Sequence, residues 1–596
     1  MPIYQAPLRD QQFVIHELLD AASQYRDIPA YASVDEDTLN QVLEESGRFA
    51  AEVLFPLNAS GDVQGCRYDP ATHSVSTPDG FRQAWDLYRE SGWGGLAADV
   101  EYGGQGLPVL LHSAFSEVQC SANQAWAMYP GLTLGVYECL HAYGTDAQKA
   151  LYLPRLVSGE WTGTMCLTEP HCGTDLGLIK TRAEPVGDDS YRLNGTKIFI
   201  SAGEHDLSEN IIHLVLAKLP DAPEGSRGIS LFVVPKFRTD EQGVIGERNG
   251  IFCAGIESKM GIHANSTCQM VMEDAVGYLV SEPNKGLNAM FVMMNGARLG
   301  VGMQGLGLNE VAYQNAAAYA RERLQSRSLK GAAQPGQPAD PIIVHPDVRR
   351  MLFAARAYAE GGRALGYWAA LQADIAKAHP DEAMRERAGR TLALITPIVK
   401  AFLTDNGFQS AVQCQQVFGG HGYIRDTGVE QYVRDARISM IYEGTNAIQA
   451  LDLLGRKVLR DNGAAMREFG ALVQGFIEEN GTREDMDEFV TPLADLMEKF
   501  TKLTMEIGMK AMANPEEVGA AATDYLRVAG HLVFGWMWAQ MARIALDKLD
   551  GGDTFYVAKL ATARVYFSRL LPETAYHMRA ARAGSKGLME LDAALF

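Results

Sequence analysis

The chain has 596 residues, 47% of them hydrophobic, with 53 Lys and Arg against 73 Asp and Glu and a formal net charge of −20. That apolar content excludes an extended disordered chain and supplies cores for about three or four domain-sized units. The negative balance excludes sequence-independent binding to nucleic acid or to an anionic membrane in the absence of a locally basic face.

In chain order, the amino-terminal segment has neither an apolar h-region nor an arginine-rich amphipathic pattern, so a cytoplasmic protein is expected. Val14, Leu18, Leu19 and Ala22 mark one helical face, and Leu39, Val42, Leu43, Phe49 and Val53 mark another. Helical patterning continues to about residue 158, interrupted by the glycine-rich stretch 102–107. From about 162 to 280 the signal changes to short β-rich runs at 198–201, 211–216, 229–234 and 269–272, bounded by Gly, Asp, Asn and Pro. Helical periodicity resumes over 287–327; a flexible loop at 331–338 then precedes two long helices reaching Asn406. Beyond Arg460 the pattern is helical throughout, as in Phe489, Leu493, Leu496, Met497 and Phe500.

The longest apolar run, 532–541, is too short to span a bilayer. It reads as a bundle core helix, with a membrane-surface patch around Trp536 and Trp538 as the alternative. The eight cysteines form no Cys-x-x-Cys pair, so they read as reduced core thiols. The fold class is α+β, mainly α. Its divisions are an N-terminal helical extension (1–40), an α-helical domain (41–160), a middle β-domain (161–280), a second α-helical domain (281–460) and an additional C-terminal helical domain (461–596).

The most informative segment is Met440-Ile441-Tyr442-Glu443-Gly444-Thr445-Asn446. It puts one carboxylate on a tight turn before a helix marked by Ile448, Leu451, Leu454 and Val458. Thr445 or Asn446 can cap that helix and Gly444 can make the bend into it. Alone, such a carboxylate is more often a solvated turn residue or a helix-dipole acid than a base. Two further segments change that reading. One is Met165-Cys-Leu-Thr168-Glu-Pro-His-Cys-Gly173-Thr174-Asp175, followed by Gly195-Thr-Lys-Ile-Phe199-Ile-Ser201; the other is Gln416-Val-Phe-Gly419-Gly420-His-Gly422-Tyr423.

In this order and spacing, these motifs resemble the acyl-CoA dehydrogenase flavoprotein family over roughly residues 45–460. The resemblance implies an α-helical domain, a β-barrel-like middle domain and an α-helical bundle around a central cleft. The stretch beyond 460 and the segment 6–13 suggest a longer bacterial subgroup that includes fatty acyl-CoA and 3-methylmercaptopropionyl-CoA dehydrogenases. By the same analogy the protein is expected to be a homodimer in fatty acid β-oxidation, binding FAD and passing electrons to an electron-transfer flavoprotein.

The chemistry so implied is α,β-dehydrogenation of an acyl thioester, in which a base removes the α-proton while hydride leaves the β-carbon for the flavin. The enolate-like oxygen then needs hydrogen bonds. Glu443 takes the role of base, and its backbone N–H, with a flavin ribose hydroxyl, binds the thioester carbonyl. Some family members carry the base on an earlier helix, at the position of Ala297, and alanine cannot abstract a proton.

Further roles follow from the resemblance. Met165, Leu167 and Thr168 meet the flavin ring edge. Phe199, where tryptophan is more usual, covers one face with Ser201. Gly173 and Thr174 admit the cofactor, Thr174 also reaching substrate. Arg323 meets the pyrophosphate from the dimer-related side, Gln416, Gly419 and Gly420 the adenosine end, and Thr445 and Asn446 offer polar groups at a helix amino terminus. Gly444, Asn295 and Arg298 are assigned to substrate, although Asn295 stands where aspartate is usual. His421 reads as structural or as a cofactor neighbour.

No Walker loop, H-E-x-x-H pair or strand-to-helix G-x-G-x-x-G is present, so no metal site is expected. Acyl-CoA oxidase and a DNA-associated flavoprotein are the alternative activities. A medium or long straight acyl chain is expected, with a short thioether chain as the alternative. Tyr129, Leu132, Leu134 and Tyr137 are candidates to line its pocket.

Overall fold

Five strands of the middle segment close into a ring. In the computed structural model, which describes residues 2–187 and 189–596, β1 is Trp161–Cys166, β2 Arg182–Gly187, β3 Ser190–Ser201, β4 Asn210–Lys218, β5 Ile229–Pro235, β6 Ile251–Ile256 and β7 Thr267–Val280. Their order is β6-β7-β3-β2-β4-β1, and β5 pairs both β7 and β4, joining the ends of the β7-β3-β2-β4 path. β4 and β5 are buried almost end to end, which is why they read as unbroken apolar runs. β2 buries only Ala183, and the sequence pattern misses it. The chain divides into two units, Glu45–Gly300, which holds this sheet, and Met1–Glu44 with Val301–Phe596.

The helical part of the first unit contains α1 (Glu36–Phe49, from Glu45 on), α2 (Phe81–Glu90), α3 (Val109–Tyr143) and α4 (Asp146–Ser158). Phe49, Tyr88, Trp93, Phe115 and Trp126 pack as one aromatic cluster with ring centroids 4.3–6.4 Å apart. α3 is interrupted at Asn123, whose φ of −159° is not helical. Its side chain compensates, accepting from the Trp126 N–H at 3.1 Å and donating to the Leu54 carbonyl at 3.3 Å. Thr145 and Gln148 form a capping box at the start of α4.

The second unit contains α5 (Gly286–Glu322, from Val301 on), α6 (Pro346–Ala378), α7 (Glu382–Val417), α8 (Asn446–Leu451), α9 (Ala464–Asn480), α10 (Asp487–Ala513), α11 (Glu516–Lys548), α12 (Thr554–Val565) and α13 (Glu573–Arg582). α5 ends five residues before the expected 327, and α7 continues past Asn406 to Val417, which puts Gln416 in a helix rather than a turn. The loop expected to be flexible is pinned: the Asp340 carboxylate accepts from the N–H groups of Ser328, Ala333 and Gln334 at 2.8–3.0 Å.

α11 packs closely on α7, since a Cβ at Gly530 would lie 2.2 Å from the Phe402 ring. Trp538 is fully buried and Trp536 nearly so, making α11 a bundle core helix. No helix among the described residues is long and apolar enough to cross a membrane. All eight cysteines are free thiols, seven of them buried.

Candidate active site

The first group of predicted residues lies on β1, β3 and the loop after β1. Met165 sits on β1, paired in parallel with Leu214 of β4, and Leu167 is buried. The Thr168 carbonyl accepts from the Ile198 N–H at 2.9 Å, joining the loop to β3 just before Phe199. Behind this junction Glu169 is buried against Lys197. The lysine donates to the carboxylate at 2.9 Å and to the Leu167 carbonyl at 3.1 Å, and is itself fully buried. The carboxylate also accepts from the Lys180 and Thr181 N–H groups and the Thr181 hydroxyl. Burial favours the neutral acid, but Lys197 and these hydrogen bonds win and hold Glu169 below its ordinary value of 4.5.

Phe199 stands out physically. The β3–β7 register shifts beside it, its φ is +60°, and its ring is 60% exposed. A left-handed aromatic inside a strand costs on the order of 1–2 kcal/mol and presents a bare ring, the combination expected where a planar ligand takes the place of packing. Ser201 follows, partly buried, and Gly173 and Thr174 are exposed on the loop. Glu169, His171 and Cys172 bring potential ligand atoms within 4.8 Å of one another. The carboxylate already accepts from Lys197, Lys180 and Thr181, and the His171 Nε2 lies 2.9 Å from the Leu178 carbonyl.

In the same unit, Arg298 of α5 donates to Asn295 Oδ1 at 3.2 Å. Tyr129 and Tyr137 have structural work: the Tyr129 hydroxyl bonds the Ala264 carbonyl and the Ser266 N–H, and the Tyr137 hydroxyl accepts from the Asp99 N–H at 2.8 Å. Leu132 and Leu134 are partly buried against the core that contains Met290 and Met293.

The second group belongs to the other unit. Glu443 has φ +57° and Gly444 φ +83°, so the bend uses two left-handed residues where one glycine was expected. Thr445 is the N-cap, its hydroxyl 3.4 Å from the Ile448 N–H. Gln449, fully buried, donates its side-chain amide to the carbonyls of Glu443 and Gly444. A Cβ on Gly444 would come 2.7 Å from that amide, a second reason for glycine there. The Asn446 side chain is taken up by α7, accepting from Lys400 Nζ at 2.8 Å and donating to Asp405 Oδ1 at 2.6 Å.

A third group lies on one surface of this unit. Tyr319, one turn before Arg323, stacks on Phe418 at 4.3 Å, and its hydroxyl is 3.5 Å from His421. Arg323 is exposed just beyond the end of α5, and exposed Gln416, Gly419 and Gly420 lie beside Phe418, with open space at both glycines. An exposed cation, open backbone and 86%-exposed Tyr423 suit a phosphate-bearing aromatic ligand. Sequence reasoning missed Gln449, Lys400, Asp405 and Lys197, whose roles come from tertiary contacts; the local signals were Glu169 and Lys197, each quoted within a motif but given no task.

Comparison with known proteins gives a consistent result. The acyl-CoA dehydrogenase N-terminal, middle and C-terminal domain models match residues 37–160, 164–275 and 284–459, and an acetyl-CoA dehydrogenase C-terminal like model matches 469–592. The chain is 43% identical over 587 residues, 98% of each chain, to a 3-methylmercaptopropionyl-CoA dehydrogenase of Ruegeria pomeroyi. It is 34% identical over 616 residues, 100% of each chain, to the broad-specificity linear acyl-CoA dehydrogenase FadE5 of Mycobacterium tuberculosis. An acyl-CoA dehydrogenase from Bacillus anthracis, solved in complex with FAD, shares the fold with a TM-score of 0.74 at 20% identity, over 94% of this chain and 90% of that one.

Proposed function

The chain belongs to the acyl-CoA dehydrogenase family, and on that premise we propose that it catalyses FAD-dependent α,β-dehydrogenation of a linear acyl-CoA with Glu443 as the base. The observation that carries this reading is the Glu443 turn, where a carboxylate is held in a left-handed conformation that Gln449 locks from the helix that follows. Strain maintained at a charged residue is a mark of function.

The residues present suit FAD. Phe199 and Ser201, with the backbone at Met165, Leu167, Thr168, Gly173 and Thr174, would hold the flavin ring, while Arg323, Gln416, Gly419 and Gly420 offer a cation and open backbone for the pyrophosphate and adenosine. Thr445 and Asn446 stand at a helix amino terminus, where the dipole favours phosphate, although the Asn446 amide already has partners on α7. When bound, FAD supplies the hydride acceptor. Glu443 takes the α-proton on its carboxylate, and its own N–H donates to the thioester oxygen as negative charge develops there. Gly444 keeps the approach free of a side chain, while Arg298 and Asn295 stiffen each other on α5 at the substrate. The reading includes a homodimer, in which Arg323 serves the partner's cofactor, and an electron-transfer flavoprotein as acceptor.

The acyl chain is medium or long in the leading reading, and similarity to FadE5 supports a linear one. The higher identity to the 3-methylmercaptopropionyl-CoA enzyme favours a second reading, a short thioether chain. The test is anaerobic mixing of the yellow protein with acyl-CoAs of increasing length and with 3-methylmercaptopropionyl-CoA, following flavin absorbance, with Glu443→Gln alongside. Bleaching by one chain class, lost in the variant while FAD stays bound, is expected. A loaded flavin that no acyl-CoA bleaches, or a variant as fast as the parent, sinks the reading; rapid reoxidation by air would favour an oxidase.

A further inference from the structure

The helix that carries the Glu443 turn is gripped from behind, and the grip leads into the C-terminal segment. Asn446, the first residue of α8, accepts from the fully buried Lys400 Nζ at 2.8 Å and donates to Thr404 Oγ1 at 3.0 Å and Asp405 Oδ1 at 2.6 Å. The residue after Asp405 continues the path: Asn406 Oδ1 accepts from Arg527 Nη1 at 3.0 Å. Arg527 lies on α11, beyond residue 460. Its guanidinium sits 4.7 Å over the Phe402 ring and pairs with Glu573 of α13, which also bonds the buried His531 at 2.7 Å.

Arg527 touches α7 in two ways, by a hydrogen bond and over an aromatic face, and each restrains the turn that contains Asp405. Burial pushes the Asp405 carboxyl up. The Asn446 hydrogen bond opposes this, as do the charges of Arg527, Lys400 and Arg437, so the arginine also helps keep an acceptor in front of Asn446.

We propose that Arg527 of the C-terminal segment is a positioning residue for the base, acting through Asn406 and Asp405 on Asn446 and so on the Glu443 turn. The inference rests on Glu443 being the base, and it gives the segment beyond residue 460 a task in catalysis as well as in stability.

The test uses the full-length, FAD-loaded protein and the acyl-CoA that bleaches the parent fastest, comparing Arg527→Met, Arg527→Lys and Glu443→Gln for FAD content, melting temperature, flavin reduction rate at saturating substrate and half-saturating concentration. Arg527→Met is expected to keep FAD and to lose on the order of tenfold in the saturating rate, with a change of about twofold or less in half-saturation, because a displaced turn misplaces the base and the N–H that meets the developing negative charge, interactions that strengthen in the transition state. Arg527→Lys should recover most of the rate. A lowered melting temperature with the parental saturating rate would mean a merely structural arginine and overturn the inference.

Should Arg527→Met fail to fold, Asp405→Asn removes the charge facing Asn446 at nearly constant volume and must show the same rate loss; a parental rate there is equally fatal. A parent that no acyl-CoA bleaches, or a Glu443→Gln variant that bleaches normally, overturns the functional reading and this inference together. A silent Glu443→Gln with a fast Arg527→Met overturns the inference alone.

Discussion

The side-chain amide of Gln449 donates to the main-chain carbonyl of Glu443 at 3.2 Å, and the same nitrogen reaches the Gly444 carbonyl at 3.3 Å. A buried amide thus serves two carbonyls turned inward by left-handed residues. Gln449→Leu leaves both without this donor, at about 1–3 kcal/mol. It also frees the turn, so flavin reduction should fall on the order of tenfold or more. Gln449→Glu should be worse at neutral pH, since it sets a carboxylate oxygen against two carbonyl oxygens. Melting curves and anaerobic flavin reduction measure both effects. Parental reduction by Gln449→Leu would show that the turn holds itself.

The φ of +57° at Glu443 separates stability from activity. Glu443→Ala and Glu443→Gly both lack a base and should both be inactive. Alanine keeps the left-handed strain and glycine does not, so the glycine variant should be the more stable of the two by about 1 kcal/mol. Denaturant unfolding of the two variants decides it. If alanine is as stable as glycine, the turn is not left-handed in solution.

How far these features could be read in the sequence depended on whether their cause was local. Glu443 was visible because its motif is contiguous, and β4 and β5 because strands buried on both faces are apolar at every position. β2 was hidden, being exposed except at Ala183 and carrying Pro185, and so was the short hairpin of Arg67–Asp69 with Ser74–Ser76, which buries only Val75. The Asn406-Gly407 pair imitates a helix stop. Gly407 is there instead because a Cβ would stand 2.3 Å from the Gly305 carbonyl, so α7 runs on and takes Gln416 with it. Lys400, Asp405 and Gln449 resemble ordinary helix residues until α7 and α8 meet.

The pair of Glu169 and Lys197 makes the β1–β3 junction sensitive to acid. Glu169 is held below 4.5 in the folded protein, so its contribution is complete above the ordinary carboxylate pKa and lost as pH falls through the lower folded value. Below about pH 4.5 the parent should therefore lose melting temperature more steeply than Glu169→Gln, the ordinary glutamate value setting where the window opens. Lys197→Met strands a buried carboxylate and should cost about 3–5 kcal/mol. Since the pair anchors the strand that carries Phe199, FAD retention should fall as well. Parallel acid profiles for parent and Glu169→Gln would contradict this.

Asp10 ties the amino-terminal segment to both α6 and α12. Its carboxylate accepts from Arg363 and Lys559, both buried; Lys559 also donates to Glu360 at 2.6 Å and Arg363 to Glu310 at 2.9 Å, while Arg356 binds Glu360 at 2.5 Å. Three carboxylates and three cations balance in a largely buried cluster. Asp10→Asn leaves one positive charge unopposed and should cost about 3–5 kcal/mol. Adding Lys559→Met restores neutrality, so the double variant should be less destabilised than the sum of the two single changes. None of these groups lies on the path from Arg527 to Asn446, so folded Asp10→Asn protein should reduce its flavin at the parental rate. Urea unfolding of the four-member cycle, with flavin reduction on the same samples, tests both. Additive losses would mean that the charges act independently, and a slowed flavin would mean that the amino-terminal segment also bears on the base.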